Sequence, residues 1–195
     1  MPANLARNRI DTRSKVLEAA LHLFAGGGYF NTSVHDIQRE AQVSIGSIYH
    51  HFGDKEGVAR ALYTELLEQT DGELKRINER GGSAQERCRA AVALLFEMTE
   101  AEPKSMQFIL HAQHREFLPN EPPICSSAPF RRMREMVEAG IQSGEIRPLD
   151  AMIAAACLFG GPIRLIHLRL DGVLAAPLQE HLETAWDCAW RAVAV

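Results

Sequence analysis

Residues 33–52 constrain the fold more than any other stretch, because they hold two short helical patterns with only Gln42 and Val43 between them. Ser33-Val34-His35-Asp36 has the form of a capping box, in which serine and acid each accept a backbone N–H at the helix start. Ile37 and Ala41 then fall on the inward side. Ser44 is placed to cap the next helix, Ile45 to His51, which ends near Gly53. Upstream, Val16, Leu17, Ala20, Leu21 and Phe24 recur at helical spacing. Asp11 or Thr12 is expected to cap that helix and Gly26-Gly27-Gly28 to end it. Asp54 caps a fourth helix, whose apolar stripe is Val58, Leu62, Leu66 and Leu67.

The rest of the chain repeats the helical period. A capping box, Ser83-Ala84-Gln85-Glu86, opens a helix through Met98 that Pro103 stops. Further helices are expected over Lys104–Phe117, Phe130–Gln142 and Leu149–Leu170, and a last one carries Leu178, Leu182, Ala185, Ala189 and Val193. Pro119–Pro129, with four prolines, reads as loop. Gly160-Gly161-Pro162 should kink or break its helix, since proline lacks an N–H and crowds the carbonyl four residues back. No useful period-2 strand and no repeat is present. The fold class is therefore all-α with about nine helices: an N-terminal domain of residues 1–56 and a larger one of residues 57–195.

With 46% hydrophobic and 24% charged residues, the chain has ample apolar surface to bury. The longest charge-free apolar run, Ala151–Ile163, is 13 residues, short of the roughly 20 a membrane span needs. The polar start, with Arg7, Arg9, Arg13 and Lys15, does not read as a signal peptide. Cys88, Cys125, Cys157 and Cys188 form no C-x-x-C pair and read as reduced thiols of a cytoplasmic protein.

Two short helices on a tight turn, preceded by an amphipathic helix, form the pattern of a helix-turn-helix DNA-binding unit. A helix entering the roughly 12 Å major groove needs a small, polar leading half. Ser44, Gly46 and Ser47 meet that need, and Ile45 can meet a thymine methyl. Val43, Ile48 and Phe52 anchor the helix. Tyr49, His50, His51 and Lys55 sit at helix ends, where they suit phosphates. The net charge of −4 argues against a polyanion partner only as an average. Residues 1–60 hold seven Lys/Arg against six Asp/Glu, and the other 135 hold 14 against 19.

The run Val43-Ser44-Ile45-Gly46-Ser47-Ile48-Tyr49-His50-His51-Phe52-Gly53-Asp54-Lys55-Glu56-Gly57-Val58 resembles the recognition segment of the TetR family of transcriptional regulators. Val16-Leu17-Glu18-Ala19-Ala20-Leu21-His22-Leu23-Phe24 and Gly27-Gly28-Tyr29-Phe30-Asn31-Thr32-Ser33-Val34-His35-Asp36-Ile37 are similar to the same family's first helix and second-helix start. The likeness covers about residues 12–62. It implies a homodimer on a palindromic operator, usually a repressor, released by a small effector bound in the C-terminal domain. It also implies that Ser33, Val34 and His35 face backbone and groove, that Ile45, Gly46, Ser47 and Tyr49 read, and that His51 and Lys55 clamp phosphate. His35 stands where relatives often carry a longer polar or basic group. Gly57 stands where leucine is common, which should loosen the start of the fourth helix.

An effector pocket is expected among Phe96, Met98, Met106, Phe108, Ile109, Phe117, Phe130, Met133 and Phe159, with His111, Gln113 and His114 as polar contacts. Such a lining suits a lipophilic or aromatic molecule and is equally a list of core residues. Ala155, Phe159, Ile163, Ile166, Leu182, Trp186, Ala189 and Trp190 are expected at a two-fold interface, which would set two reading helices about 34–36 Å apart. His111 and His114, with Glu116, have metal-ligand spacing but lack a third motif-placed ligand; no metal or cofactor is expected. Arg131, Arg132 and Arg134 read as a solvated face, or else as a site for an anionic head group. No nucleophile elbow or phosphate loop is present, so no enzyme is indicated. The competing reading is a helical small-molecule- or metal-binding protein, or an enzyme, that keeps a similar head as scaffold. A pure dimerisation module would not need exposed Tyr49, His51 and Lys55.

Overall fold

The computed structural model describes the backbone of residues 3–111 and 114–195 and the side chains of 12–111, 114 and 116–195. Arg7, Arg9, Asp11 and Gln113 have side chains outside that range. Among the described residues the chain is helical throughout, with nine helices of eight residues or more: α1 (Ala3–Gly27), α2 (Val34–Ala41), α3 (Ile45–Phe52), α4 (Lys55–Glu79), α5 (Ala84–Ala101), α6 (Pro103–His111), α8 (Ala128–Ser143), α9 (Ala151–Leu170) and α10 (Leu182–Arg191). A helical turn, α7 (His114–Phe117), and two 3₁₀ turns, Ile124–Ser126 and Leu178–His181, complete the order. The one extended contact described is an isolated bridge between Ile146 and Ala194.

Two compact units form. The first holds Met1–Leu66 with Lys104–Glu121, the second Leu67–Pro103 with Pro122–Val195. The boundary expected at 56/57 thus falls inside the first unit. In that unit Val16, Leu17, Ala20 and Phe24 of α1 are buried with Ile37, Ile48, Val58 and Leu62, the residues whose spacing marked the inward faces. In the second unit Val92 and Phe96 of α5, Met136 and Val137 of α8, and Leu158 and Ile166 of α9 are fully buried. A Cβ on Gly140 would lie 2.8 Å from the Ala84 Cβ, so α8 and α5 meet where only glycine fits. Arg169 of α9 grips Glu100 of α5 with two hydrogen bonds of 2.8 and 3.0 Å. That contact holds the Glu100 carboxyl below its usual range.

Several boundaries differ from the sequence reading; the last helix, α10, holds Leu182, Ala185 and Ala189 but neither Leu178 nor Val193. Helix α1 starts at Ala3, so Asp11 and Thr12 lie within it and do not cap it; Ala3, Leu5, Ala6, Arg7 and Arg9 are good helix formers. Pro103 opens α6, as suits a first helical position, where the missing N–H has no partner to lose. Helix α9 runs unbroken through Gly160-Gly161-Pro162, because proline removes one hydrogen bond and flanking turns keep theirs. Helix α9 is also the one described helix long and apolar enough to cross a membrane, yet only 28% of its most apolar stretch is buried in the chain. The charge-free run stopped short of that length because Arg164 interrupts it.

Candidate nucleic-acid interface

The α2-turn-α3 unit is fastened by its own side chains. Ser33 caps α2: its Oγ accepts the Asp36 N–H at 3.2 Å, and Asp36 Oδ2 accepts the Ser33 N–H at 2.9 Å and its hydroxyl at 2.6 Å. These bonds hold the Asp36 carboxyl below its usual range. Helix α2 ends at Gln42, the one described non-glycine residue in the left-handed region, with φ +53°. Such a conformation costs a non-glycine residue about 1 kcal/mol, and Gln38 secures it. The Gln38 side-chain amide donates to the Val43 carbonyl at 3.0 Å, and the Gln38 backbone carbonyl accepts the Val43 N–H at 3.4 Å. Ser44 then caps α3, accepting the Ser47 N–H at 3.1 Å, with the two hydroxyls 2.8 Å apart.

Beneath this surface Ile48 is completely buried, which fixes the face α3 turns outward. Ser33, His35, Ser44, Gly46, Tyr49 and His50 are exposed, and Val34, Ile45, Ser47 and His51 are half-buried. Tyr49, at 51% exposure, is no core ring. A Cβ on Gly46 would find nothing nearer than Ser44 Oγ at 4.0 Å, so the protein itself does not require glycine there. The His50 and His51 rings meet edge to face at 5.4 Å. Together these residues form one small-featured, polar patch led by two helix N-termini.

Lys55 has a different place from the phosphate clamp expected of it. Its Nζ donates to the carbonyls of Tyr29 at 3.0 Å and Thr32 at 2.9 Å and lies 4.1 Å from the Tyr29 ring centroid. It latches the start of α4 to the loop before α2, and burial draws its pKa down. The other face of Tyr29 stacks on Phe117 at 4.2 Å, while burial and the charges of Glu56 and Asp54 push the Tyr29 hydroxyl up. Sequence reasoning missed Gln38, Tyr29 and Thr32, which act through backbone groups that no motif marks. Gly57 corrects a further expectation. A Cβ there would lie 1.8 Å from the Phe52 carbonyl oxygen, so glycine lets the α3–α4 corner close and does not loosen α4. Asp54 caps that corner by accepting the Gly57 N–H at 2.7 Å.

The residues expected at an effector pocket divide between the units. Met106, Phe108, Ile109, His111, His114 and Phe117 lie in the first; Phe96, Phe130, Met133 and Phe159 lie in the second. Phe96, Met133 and Phe159 are buried core residues there. His114 packs on Tyr63 at 4.1 Å and edge-on to Phe108 at 5.2 Å. Burial pushes its pKa down to about 4, so it is neutral at pH 7. Among the described residues no group of three or more His, Cys, Asp or Glu is placed to hold a metal. Arg132 of the basic run is bound twice to Asp71, at 2.7 and 2.8 Å.

The interface residues also need correction. Phe159, Ile166, Trp186 and Ala189 are buried within the second unit and are not open to a partner. Ala155, Ile163, Leu182 and Trp190 are half-buried. Helix α9 is apolar on both faces, so its spacing does not distinguish core from contact side. Its outward face carries Ile153, Cys157, Gly160 and Arg164, with Met152 and Ile153 50% and 59% exposed.

Residues 16–62 match the family model described as bacterial regulatory proteins, tetR family. The transcriptional repressor KstR2 of Rhodococcus jostii (strain RHA1) is 27% identical over 150 residues, 75% of this chain and 73% of that protein. The crystal structure of a TetR family transcription regulator from Marinobacter aquaeolei VT8 superposes with a TM-score of 0.81 at 25% identity, over 97% of this chain and 98% of that one. FadR from Bacillus subtilis, in complex with stearoyl-CoA, shares the fold with a TM-score of 0.80 at 21% identity, over 90% and 96% of the two chains. The helix-turn-helix geometry and these likenesses agree: residues 16–62 carry the N-terminal segment of the tetR family of bacterial regulatory proteins, and the chain as a whole is similar in fold to TetR-family regulators.

Proposed function

We propose that the chain is a ligand-responsive transcriptional repressor of the bacterial cytoplasm, not an enzyme. It binds a palindromic operator as a homodimer and leaves it when a small lipophilic or aromatic effector binds. The observation that carries this reading is the outward face of α3: small residues, Ser44 and Gly46 exposed and Ser47 half-buried, over a fully buried Ile48. Ser44, Ile45, Gly46 and Ser47 read base edges, and Ser33, Val34, His35, Tyr49, His50 and His51 position the helix on backbone and groove. Lys55 positions these contacts through its latch. The homodimer is supported by α9, whose apolar outward face lacks cover within one chain. A lipophilic effector is supported by the stearoyl-CoA bound to the structurally similar FadR. To turn a 1:99 population into 99:1, the effector must favour the DNA-incompetent state by about 5.5 kcal/mol.

The test is selection of bound duplexes from a random DNA pool. A two-fold sequence with half-sites one helical turn or a multiple apart is expected. Enrichment of no sequence, with binding no tighter than to bulk DNA, would refute the reading.

A further inference from the structure

A cavity of about 280 Å³ opens within the first unit, and none of its described lining residues belongs to α3. Its walls include Phe24, Tyr29, Phe30, Phe108 and Phe117. Phe24 stacks on Phe108 with centroids 5.9 Å apart, and Tyr29 on Phe117 at 4.2 Å, so four of these rings cover one another. Phe30 lacks such cover: it stands at 87° to Tyr29 and 85° to Phe117 and is 64% exposed. A large ring left in water gains by burial against an apolar partner. The charged groups nearby are already engaged. The Lys55 ammonium lies over the Tyr29 ring and donates to two carbonyls, and His111 and Glu116 on the lining each have a partner. Among the described lining residues a ligand charge would find no unengaged counter-charge, and burying it against rings is costly. Gln107 differs from these polar neighbours. It is half-buried on the same lining, and its carboxamide makes no hydrogen bond among the described residues. Such a group can both donate and accept.

We propose that this cavity binds an uncharged aromatic molecule of one or two rings with a single hydrogen-bonding group, its ring against Phe30 and its polar atom on Gln107. The volume suits that class: an apolar cavity of about 150 Å³ takes benzene, and one of about 280 Å³ has room for two fused rings. Apolar walls with one placed polar group are the usual make-up of a small-molecule site. Occupancy is a property of the DNA-free chain and needs no operator.

Calorimetric titration of the DNA-free, full-length protein with indole tests the site, with 1-methylindole, benzyltrimethylammonium and phenylacetate as controls. Indole should bind at least about tenfold more tightly than either charged probe. It should also bind about tenfold more tightly than 1-methylindole, which cannot donate to the Gln107 carbonyl oxygen. Gln107→Leu should erase the preference over 1-methylindole, and Phe30→Ala should weaken both indoles by about tenfold. Neither side chain is buried, so folding should persist; circular dichroism checks it. On the unaltered protein, nuclear Overhauser contacts between indole and the Phe30 ring place the ligand without any variant. No binding of indole up to its solubility, equal affinity for the charged probes, binding that neither variant alters, or contacts that miss Phe30 would each overturn the proposal. Duplex selection is run without indole, so its failure would overturn the DNA-binding reading and leave this site to the titration.

Discussion

The outward faces of α3 and α9 both carry exposed glycine, yet they differ in polarity. On α3 the exposed residues are Ser44, Gly46 and Tyr49, over buried Ile48. On α9 they are Met152, Ile153, Ala156, Cys157, Gly160 and Gly161, with Arg164 as the one charge, over buried Leu158 and Ile166. A Cβ on Gly160 or Gly161 would meet nothing within 4 Å, and one on Gly46 only Ser44 Oγ at 4.0 Å. Gly57 and Gly140, by contrast, have neighbours closer than any side chain tolerates. The second pair lets the protein meet itself. The first three leave open space, bordered by hydrogen-bonding side chains at α3 and by a mostly apolar surface at α9, which under the function proposed above would take a DNA groove and a second copy of the chain.

The largest effect should come from attacking the apolar face. Ile153→Glu with Gly160→Glu should dissociate the proposed dimer and lower operator affinity by about a thousandfold, because two linked heads become two separate ones. Sedimentation velocity and a DNA titration measure this; a dimer that persists with intact affinity would move the interface elsewhere. Next, Gly57→Ala should destabilise the protein by about 3 kcal/mol in denaturant unfolding, and a neutral result would deny the internal role of this glycine.

A smaller effect should come from His114. Its folded pKa of about 4 lies below the unfolded value near 6.5, so the fold prefers the neutral ring. That stability is present above pH 6.5 and is lost as pH falls towards 4. It amounts to about 2 kcal/mol after allowance for solvent screening. Unfolding at pH 7 and pH 4.5 should show a difference that His114→Phe shrinks; an unchanged difference would place the proton elsewhere. Smallest is Gly46→Ala. It should leave the fold intact or raise its stability by about 0.5 kcal/mol, while weakening operator binding by about tenfold, or 1.4 kcal/mol. If affinity is kept, the space above Gly46 is not where DNA approaches.

Much of this fold was legible because helices announce themselves locally. The Ser33–Asp36 and Ser83–Glu86 boxes, the glycine stop after α1 and the stripe from Val16 to Phe24 each depend on residues within one or two turns. The capped, exposed face of α3 was legible for the same reason. What escaped depends on partners distant in the chain. Lys55 looked like a free cation until the carbonyls of Tyr29 and Thr32, over twenty residues earlier, took its ammonium. Trp186 and Ile166 looked like interface because periodicity identifies an apolar stripe but not which neighbour covers it. Gly57 was misread because its neighbour is the Phe52 backbone, invisible to any pattern of side chains.

The chain leaves the first unit after Leu66 and returns to it from Lys104 to Glu121. Phe108 and Phe117, which cover Phe24 and Tyr29, arrive only on that return. A chimera that transplants the reading head as residues 1–66 alone would therefore carry exposed aromatic rings and a Tyr29 with one face bare. Swapping operator specificity between regulators of this kind should succeed more often when the α6–α7 segment travels with the head, so that the exchangeable module is discontinuous in sequence.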